Sequence, residues 1–417
     1  MNSHSTARST PPPATTTTAP LSWRDIVWLG AIVVIGINLR PLLTSISPLM
    51  TTIRSATGLS FYGASLLTSL PVVAMGLGAF GAAALTRTLG ETRGVALGLL
   101  AIALACAARW AAASGSALLL TAALAGVGVA AVQALLPAVM KQRFHAHVPL
   151  AMGVFSASIM GGGGLGASLS PWVSVVAGSW HAGLAVWAIP AVIALACWLG
   201  LNRRPSAERH IHADAPQSHA LDTPAPALWR KPRAWTLGLF FGIVNGGYTS
   251  LVAWLPAFYQ QRGVSVADSG SLLAGMTAFQ AAAALLLPLA AASFRDRRPW
   301  LVLGLCAQLT GLLGLIFCPD TASWLWIGVA GAGLGGTFSL TLVTAMDHSA
   351  NHRVAGKLVA FTQGVGFVVA ALAPMIAGMV RGWSGGFVGA WMMLAASVVV
   401  MIGVSLLFSP RSYHEWH

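Results

Sequence analysis

Charged side chains are scarce in this sequence. Lys and Arg total 23 and Asp and Glu 10, together 8% of 417 residues, while 56% are apolar. Soluble domains carry about a quarter charged residues, so a water-facing globule is excluded and the surface must face lipid. The same apolar excess excludes intrinsic disorder. Four scattered cysteines exclude a disulfide scaffold. No Walker A sequence occurs, which argues against direct ATP drive. Residues 1–22 are rich in Thr, Ser and Pro without an apolar run. They read as a disordered cytoplasmic tail and not as a cleaved signal peptide.

Twelve apolar stretches remain, near 25–52, 62–85, 94–113, 117–140, 148–176, 181–201, 234–260, 268–292, 299–318, 321–346, 354–380 and 386–408. Each is long enough to cross a hydrocarbon core of about 30 Å. In lipid the backbone must satisfy itself within the segment, so these are helices. The net charge of +13 resembles a nucleic-acid signal until its location is read. Arg87, Arg93, Lys141, Arg143, the six basic residues from Arg203 to Arg233, Arg295, Arg297, Arg298, Arg353 and Lys357 fall in or beside even-numbered loops. The odd loops hold Arg54, Arg262 and Arg381. The positive-inside rule then puts both termini in the cytoplasm of a cell whose inner membrane the chain spans, with lipid rather than nucleic acid as its surroundings.

The longest polar connection, 202–233, divides the chain into six-span halves, 23–201 and 234–408, with a short tail at 409–417. The halves resemble one another at a shift of about 205 residues. Gly58-Leu59-Ser60 recurs as Gly263-Val264-Ser265, and Ser65-Leu66-Leu67 as Ser271-Leu272-Leu273. Glu91 and Arg93 stand opposite Asp296 and Arg298. Gly161 and Gly163 stand opposite Gly364 and Gly366. An all-α membrane protein of two parallel six-helix repeats is the plan of transporters whose substrate binds at midplane between the halves. Glu91, Arg93, Asp296 and Arg298 are then gating candidates, and the four glycines hinge candidates.

Inside the spans an ionisable residue is a functional hypothesis. Asp25, Glu91, Asp268, Asp296, Asp320 and Asp347 all lie at span ends or in loops, so what lies within is positive. Arg40 is about fifteen residues into span 1, about 22 Å along a helix. Arg40 and Thr44 share a helical face, Asn38 precedes them, and Pro41 frees a backbone carbonyl at the same level. The guanidinium fork suits an anion or a carbonyl-like solute; the alternative is an arginine tied to carbonyls of a neighbouring helix. Arg109, in the outer half of span 3, either draws an anion inward or reaches the interface. Gln133, Asn245, Tyr248, Gln280 and Gln363 sit at mid-depth elsewhere and either line a wet cavity or bond a neighbour. Trp254 is a cavity wall or an interfacial belt residue.

Met160 to Gly166 spells G-x-G-x-x-G inside a span, where close helix approach is expected and a dinucleotide is not. His348 and His352 are four apart, but with no third ligand nearby a solvated loop is expected instead of a metal site. Cys106, Cys197, Cys306 and Cys318 read as packing residues. No cofactor is implied.

The runs Asn38-Leu39-Arg40-Pro41-Leu42-Leu43-Thr44-Ser45, Met160 to Gly166, Asn245-Gly246-Gly247-Tyr248, Ala253 to Tyr259 and Ala355 to Phe361 resemble the cyanate transporters of the major facilitator superfamily. The likeness spans 28–408. It implies that fold, cyanate as substrate, and alternating access around Arg40, in a chain expected to act as a monomer. The wider group carrying Asn-Leu-Arg-Pro includes exporters of 2-nitroimidazoles, the main alternative; an anion channel is another, and a membrane enzyme is disfavoured by the lack of a nucleophile–base pair at midplane. The usual loop signature after span 2 is eroded, since Thr86 to Arg93 lacks its aspartate.

Overall fold

Lipid offers a backbone no partner outside its own segment, and no strand occurs among the described residues of the computed structural model, which are 22–144, 147–202, 228–349 and 352–410. The tail at 1–21, the last residues 411–417 and linker residues 203–227 lie outside them. Among the described residues, twelve helical stretches are long and apolar enough to cross a membrane. Span 1 comprises α1 (Trp23–Ile37), α2 (Pro41–Thr44) and α3 (Ile46–Thr57). Spans 2 to 6 are α4 (Phe61–Leu89), α5 (Glu91–Ala108), α6 (Gly115–Phe144), α7 (Val148–Val176), and the pair α8 (Trp180–Ala185) and α9 (Ala188–Asn202). Spans 7 to 12 are α10 (Pro232–Gln260), α11 (Val266–Ala291), α12 (Arg298–Phe317), α13 (Ser323–Asp347), the pair α14 (His352–Ala370) and α15 (Leu372–Ser384), and α16 (Val388–Ser405).

Spans 1, 6 and 11 are each interrupted, where continuous helices were expected. Proline accounts for two of the interruptions. Pro374 has no N–H to give the Ala370 carbonyl, and Thr249 Oγ1 from α10 takes that carbonyl at 2.7 Å. Pro41 likewise follows the interruption of span 1.

The internal repeat is visible in the turns. Gly58 and Gly263 have φ of +69° and +88°, a region that favours glycine. Two residues on, Ser60 and Ser265 accept the backbone N–H of Gly63 and Asp268 as N-caps of α4 and α11. The halves pack where side chains are small. Gly76 of α4 faces the Gly364 carbonyl of α14, and Gly270 of α11 faces the Ala167 carbonyl of α7. At the face opposite the chain termini, Gln260 of α10 ties the halves: its Nε2 donates to the Pro48 carbonyl at 2.7 Å and its Oε1 accepts from Thr51 Oγ1 at 2.8 Å.

At the terminal face the structure corrects the expectation of a solvated His348. The ring is fully buried. Its Nδ1 lies 2.6 Å from the Thr344 carbonyl and so donates, while Nε2 accepts from Arg233 Nε at 3.1 Å. Arg233 also donates to the Leu407 carbonyl, joining the start of α10 to the ends of α13 and α16. Burial first, then the Arg233 charge, lower the His348 pKa from 6.5 to about 4 against the opposing pull of Thr344 and Asp347. The unfolded chain takes up this proton below about 6.5 and the folded chain only near 4. Stability is therefore full above the first value and falls as pH drops towards the second. The melting temperature of the purified protein is expected to decline through that window. His348→Gln, which keeps a donor and an acceptor without titrating, should flatten the decline; an unchanged slope would assign it to other groups.

Candidate functional site

The break in span 1 is built by its own side chains. The chain tightens after Ile35, so that Asn38 and Leu39 donate to the Ile35 and Gly36 carbonyls. That leaves the Val34 carbonyl without its usual partner, and Asn38 Nδ2 supplies one at 2.6 Å while also reaching the Pro190 carbonyl of α9 at 3.1 Å. Helix resumes at Pro41, whose fixed φ suits a first turn. Arg40 is left at the junction as the N-cap residue of α2.

The bed for this junction is the glycine-rich stretch of α7. A Cβ on Gly162 would lie 2.2 Å from the Ile37 carbonyl oxygen, and one on Gly166 would lie 2.4 Å from Thr44 Oγ1 and 2.8 Å from the Pro41 Cα. Gly163 faces the Arg40 Cβ at an ordinary 3.4 Å, and Gly161 faces open space. The close approach is therefore carried by Gly162 and Gly166, one turn apart. In the second half, Gly364 meets the Phe80 ring and Gly366 the Phe241 ring.

Arg40 points into a cavity of about 20 Å³, enough for one or two water-sized groups. Its polar lining is Arg40 from the first half and Asn245, Tyr248, Thr249 and Gln280 from the second; Val72, Met75, Met160, Phe338 and Phe367 form the apolar walls. Arg40 Nη1 donates to Tyr248 Oη at 3.1 Å, and the guanidinium carbon lies 5.2 Å from the centre of the same ring. That bond crosses between the halves. No carboxylate lines the cavity among the described residues. Asn245 donates through Nδ2 to the Phe241 carbonyl, while the Gln280 amide has no hydrogen-bond partner among the described residues. A positive fork, an amide and a hydroxyl therefore converge on a small, mostly apolar space, an arrangement that accepts a compact anion or an oxygen-rich group.

The structure brings together Arg40, Asn245, Tyr248 and Gln280 and leaves the other candidates outside this lining. Asn38 shapes the break. Thr44 is fully buried against α7. Gln133 and Gln363 are half-buried elsewhere. Trp254 is buried between Phe61 and Phe387 and donates to the Pro374 carbonyl at 3.0 Å. Arg109 is 1% exposed and sits behind the break, its Nη2 on the Leu42 carbonyl and its Nε on Thr121, both at 3.4 Å, with Nη1 unpartnered. Thr249, absent from the sequence expectations, follows Asn245 by one helical turn, a spacing that places it on the same face.

Two of the loop carboxylates, Asp296 and Glu91, have local partners. Arg298 grips Asp296 at 2.7 Å in its own loop, and Gln142 donates to Glu91 at 2.9 Å. Arg93 is exposed. Arg298 holds the Asp296 carboxyl below its ordinary pKa. Half-buried ion pairs at this face join Arg297 to Asp347 at 2.9 Å and Arg143 to Asp25 at 3.3 Å, and Arg297 also bonds the Ala291 carbonyl.

The chain matches the model of the Major Facilitator Superfamily over residues 31–374. It is 47% identical over 387 residues to the cyanate transport protein CynX of Escherichia coli strain K12, covering 93% of this chain and 98% of that one. It is 31% identical over 360 residues to the 2-nitroimidazole transporter of the same strain, covering 86% and 89%. Its backbone superposes with a TM-score of 0.78 on an inward-facing bacterial homologue of the human lysosomal transporter Spinster, at 16% identity over 95% of this chain and 98% of that one. Twelve apolar helices among the described residues, in two repeats that both line one cavity, agree with these matches: the chain belongs to the major facilitator superfamily and is a membrane transporter, not an enzyme.

Proposed function

We propose that this transporter carries a small monovalent anion, cyanate foremost, by alternating access of its two halves around Arg40. The observation that carries the reading is the guanidinium at the break in span 1, the only charge lining the cavity among the described residues. A charge at helix centre costs at least about 2.5 kcal/mol when uncompensated. A phenol and its ring offset part of that, and an anion offsets more. The 47% identity to a cyanate transport protein supports the choice among small anions. Since Tyr248 holds Arg40 across the halves, an incoming anion competes with that bond and loosens the central link between them.

The termini are proposed to be cytoplasmic, from the distribution of basic residues, and the host membrane to be the inner one, since spans of the outer membrane are strands of barrels. The chain is proposed to work as a monomer. No carboxylate lies at mid-depth to carry a coupled proton. Anion entry against the membrane potential, costing about 2.3 kcal/mol per 100 mV, is therefore assigned to facilitated flux or to a proton borne by the substrate. A second reading, export of 2-nitroimidazoles, draws on the 31% identical relative; the present cavity is too small for a nitro-substituted ring. Proteoliposomes loaded with unlabelled cyanate should accumulate labelled cyanate by counterflow, saturably. Linear flux without counterflow would indicate a channel, and counterflow of 2-nitroimidazole alone would favour the second reading.

A further inference from the structure

The face opposite the termini carries Arg54 near the end of α3, Arg262 just beyond α10 and Arg381 near the end of α15. Arg262 is compensated by Asp320 at 3.0 Å. Arg54 and Arg381 have no carboxylate partner among the described residues. Both lean instead on one aromatic ring: their guanidinium carbons lie 3.4 and 4.6 Å from the centre of Phe61. Arg54 belongs to the first half and Arg381 to the second, so closing this face brings two like charges together across the seam.

A ring face offsets a cation by about 0.5–2 kcal/mol but carries no net charge to neutralise two. Arg54 gives Nε to the Leu59 carbonyl at 3.1 Å, whereas Arg381 Nε is buried without any partner. Among the described residues no hydrogen bond engages the Nη groups of either side chain. Beneath the pair, Trp254 packs on Phe61 at 5.8 Å and on Phe387 at 5.7 Å. These rings form an aromatic plug, and along α10 Trp254 lies six residues beyond the cavity-lining Tyr248. Along α4 the distance from Phe61 to Val72 in the cavity wall is about 16 Å at 1.5 Å per residue.

We propose that Arg54 and Arg381 form a second anion subsite, a station at the far mouth that holds a small monovalent anion on its route past the Phe61–Trp254–Phe387 plug. The proposal rests on the reading of the chain as an anion transporter. An anion here is held by the free Nη donors of both halves, relieves the repulsion between them, and raises the local substrate concentration at the mouth.

Calorimetric titration of the purified full-length protein with sodium cyanate is expected to show a strong and a weak phase. Arg40→Ala should remove the strong phase and leave the weak one. Adding Arg54→Gln and Arg381→Gln should abolish the weak phase, while Arg54→Lys with Arg381→Lys should retain it and so control for folding. In proteoliposomes Arg54→Gln with Arg381→Gln should raise the KM for cyanate about tenfold with kcat within about twofold. Loss of all binding in Arg40→Ala, or an unchanged KM in the glutamine pair, overturns the subsite and leaves the central reading intact. A weak phase that persists when the strong one is missing from the wild type overturns the central reading alone, and no binding in the wild type overturns both.

Discussion

Arg40→Ala is expected to lower kcat/KM for cyanate uptake in proteoliposomes about a hundredfold, with the melting temperature of the purified protein unchanged or higher. A charge-assisted hydrogen bond contributes about 1.5–3 kcal/mol, and each 1.4 kcal/mol is about tenfold. The stability half of the expectation separates two roles. A guanidinium kept for architecture would leave its partners unsatisfied when removed, and the protein would melt earlier. Arg40 has one side-chain partner, Tyr248, whose hydroxyl faces the cavity and can turn to water or substrate. Removing an uncompensated cation from mid-membrane relieves a cost. Arg40→Lys is expected to fail nearly as badly, because a point charge cannot reproduce the planar fork. Near-normal uptake by the alanine variant would defeat the assignment of Arg40 as the substrate contact.

Gly162→Ala is expected to be the most damaging methyl group that can be added to the glycine-rich stretch of α7. The added carbon would stand 2.2 Å from the Ile37 carbonyl oxygen, and backbone, unlike a flexible side chain, cannot step aside. Overpacking of this kind costs about 1–3 kcal/mol, and here the strain falls on the junction that aims Arg40. Both melting temperature and uptake should drop. Gly161→Ala, one residue away and facing open space, should change neither. Equal tolerance of the two substitutions, read by thermal unfolding and flux, would show that α7 does not brace the break.

The contrast between those neighbours marks where reading from residues alone reaches its limit. Gly161 and Gly163 were hinge candidates because they align with Gly364 and Gly366 under the repeat. The alignment says nothing about which helical face meets the unwound chain, and that face belongs to Gly162 and Gly166. The same limit applies to the polar residues. Asn245, Tyr248 and Gln280 stand at mid-depth and line the cavity, but so by depth do Gln133 and Gln363, which do not. Depth follows from counting residues along a span; azimuth follows from how twelve spans pack. Thr44 keeps its place one helical turn after Arg40, its backbone N–H on the Arg40 carbonyl, but its short side chain ends against Gly163 and Gly166 of α7, while the longer Arg40 side chain passes Gly163 into the cavity.

Arg109 illustrates a different limit. Its sequence position allowed either an aqueous or an interfacial head group, yet the side chain turns into the first half and caps the Leu42 carbonyl behind the break. His348 was expected in solvent because it lies in a loop, and Arg233, more than a hundred residues earlier, encloses it. Each outcome depends on a partner distant in the chain, chosen by packing.

Hydropathy, charge placement and recurring motifs were enough to establish twelve helices, two repeats and a cation at mid-depth, because lipid punishes unpaired backbone and charge so heavily that few arrangements survive. Which groups surround that cation, and how the chain unwinds to aim it, came from three-dimensional packing, where differences of about a kilocalorie per contact between many alternative faces leave no periodic trace along the chain.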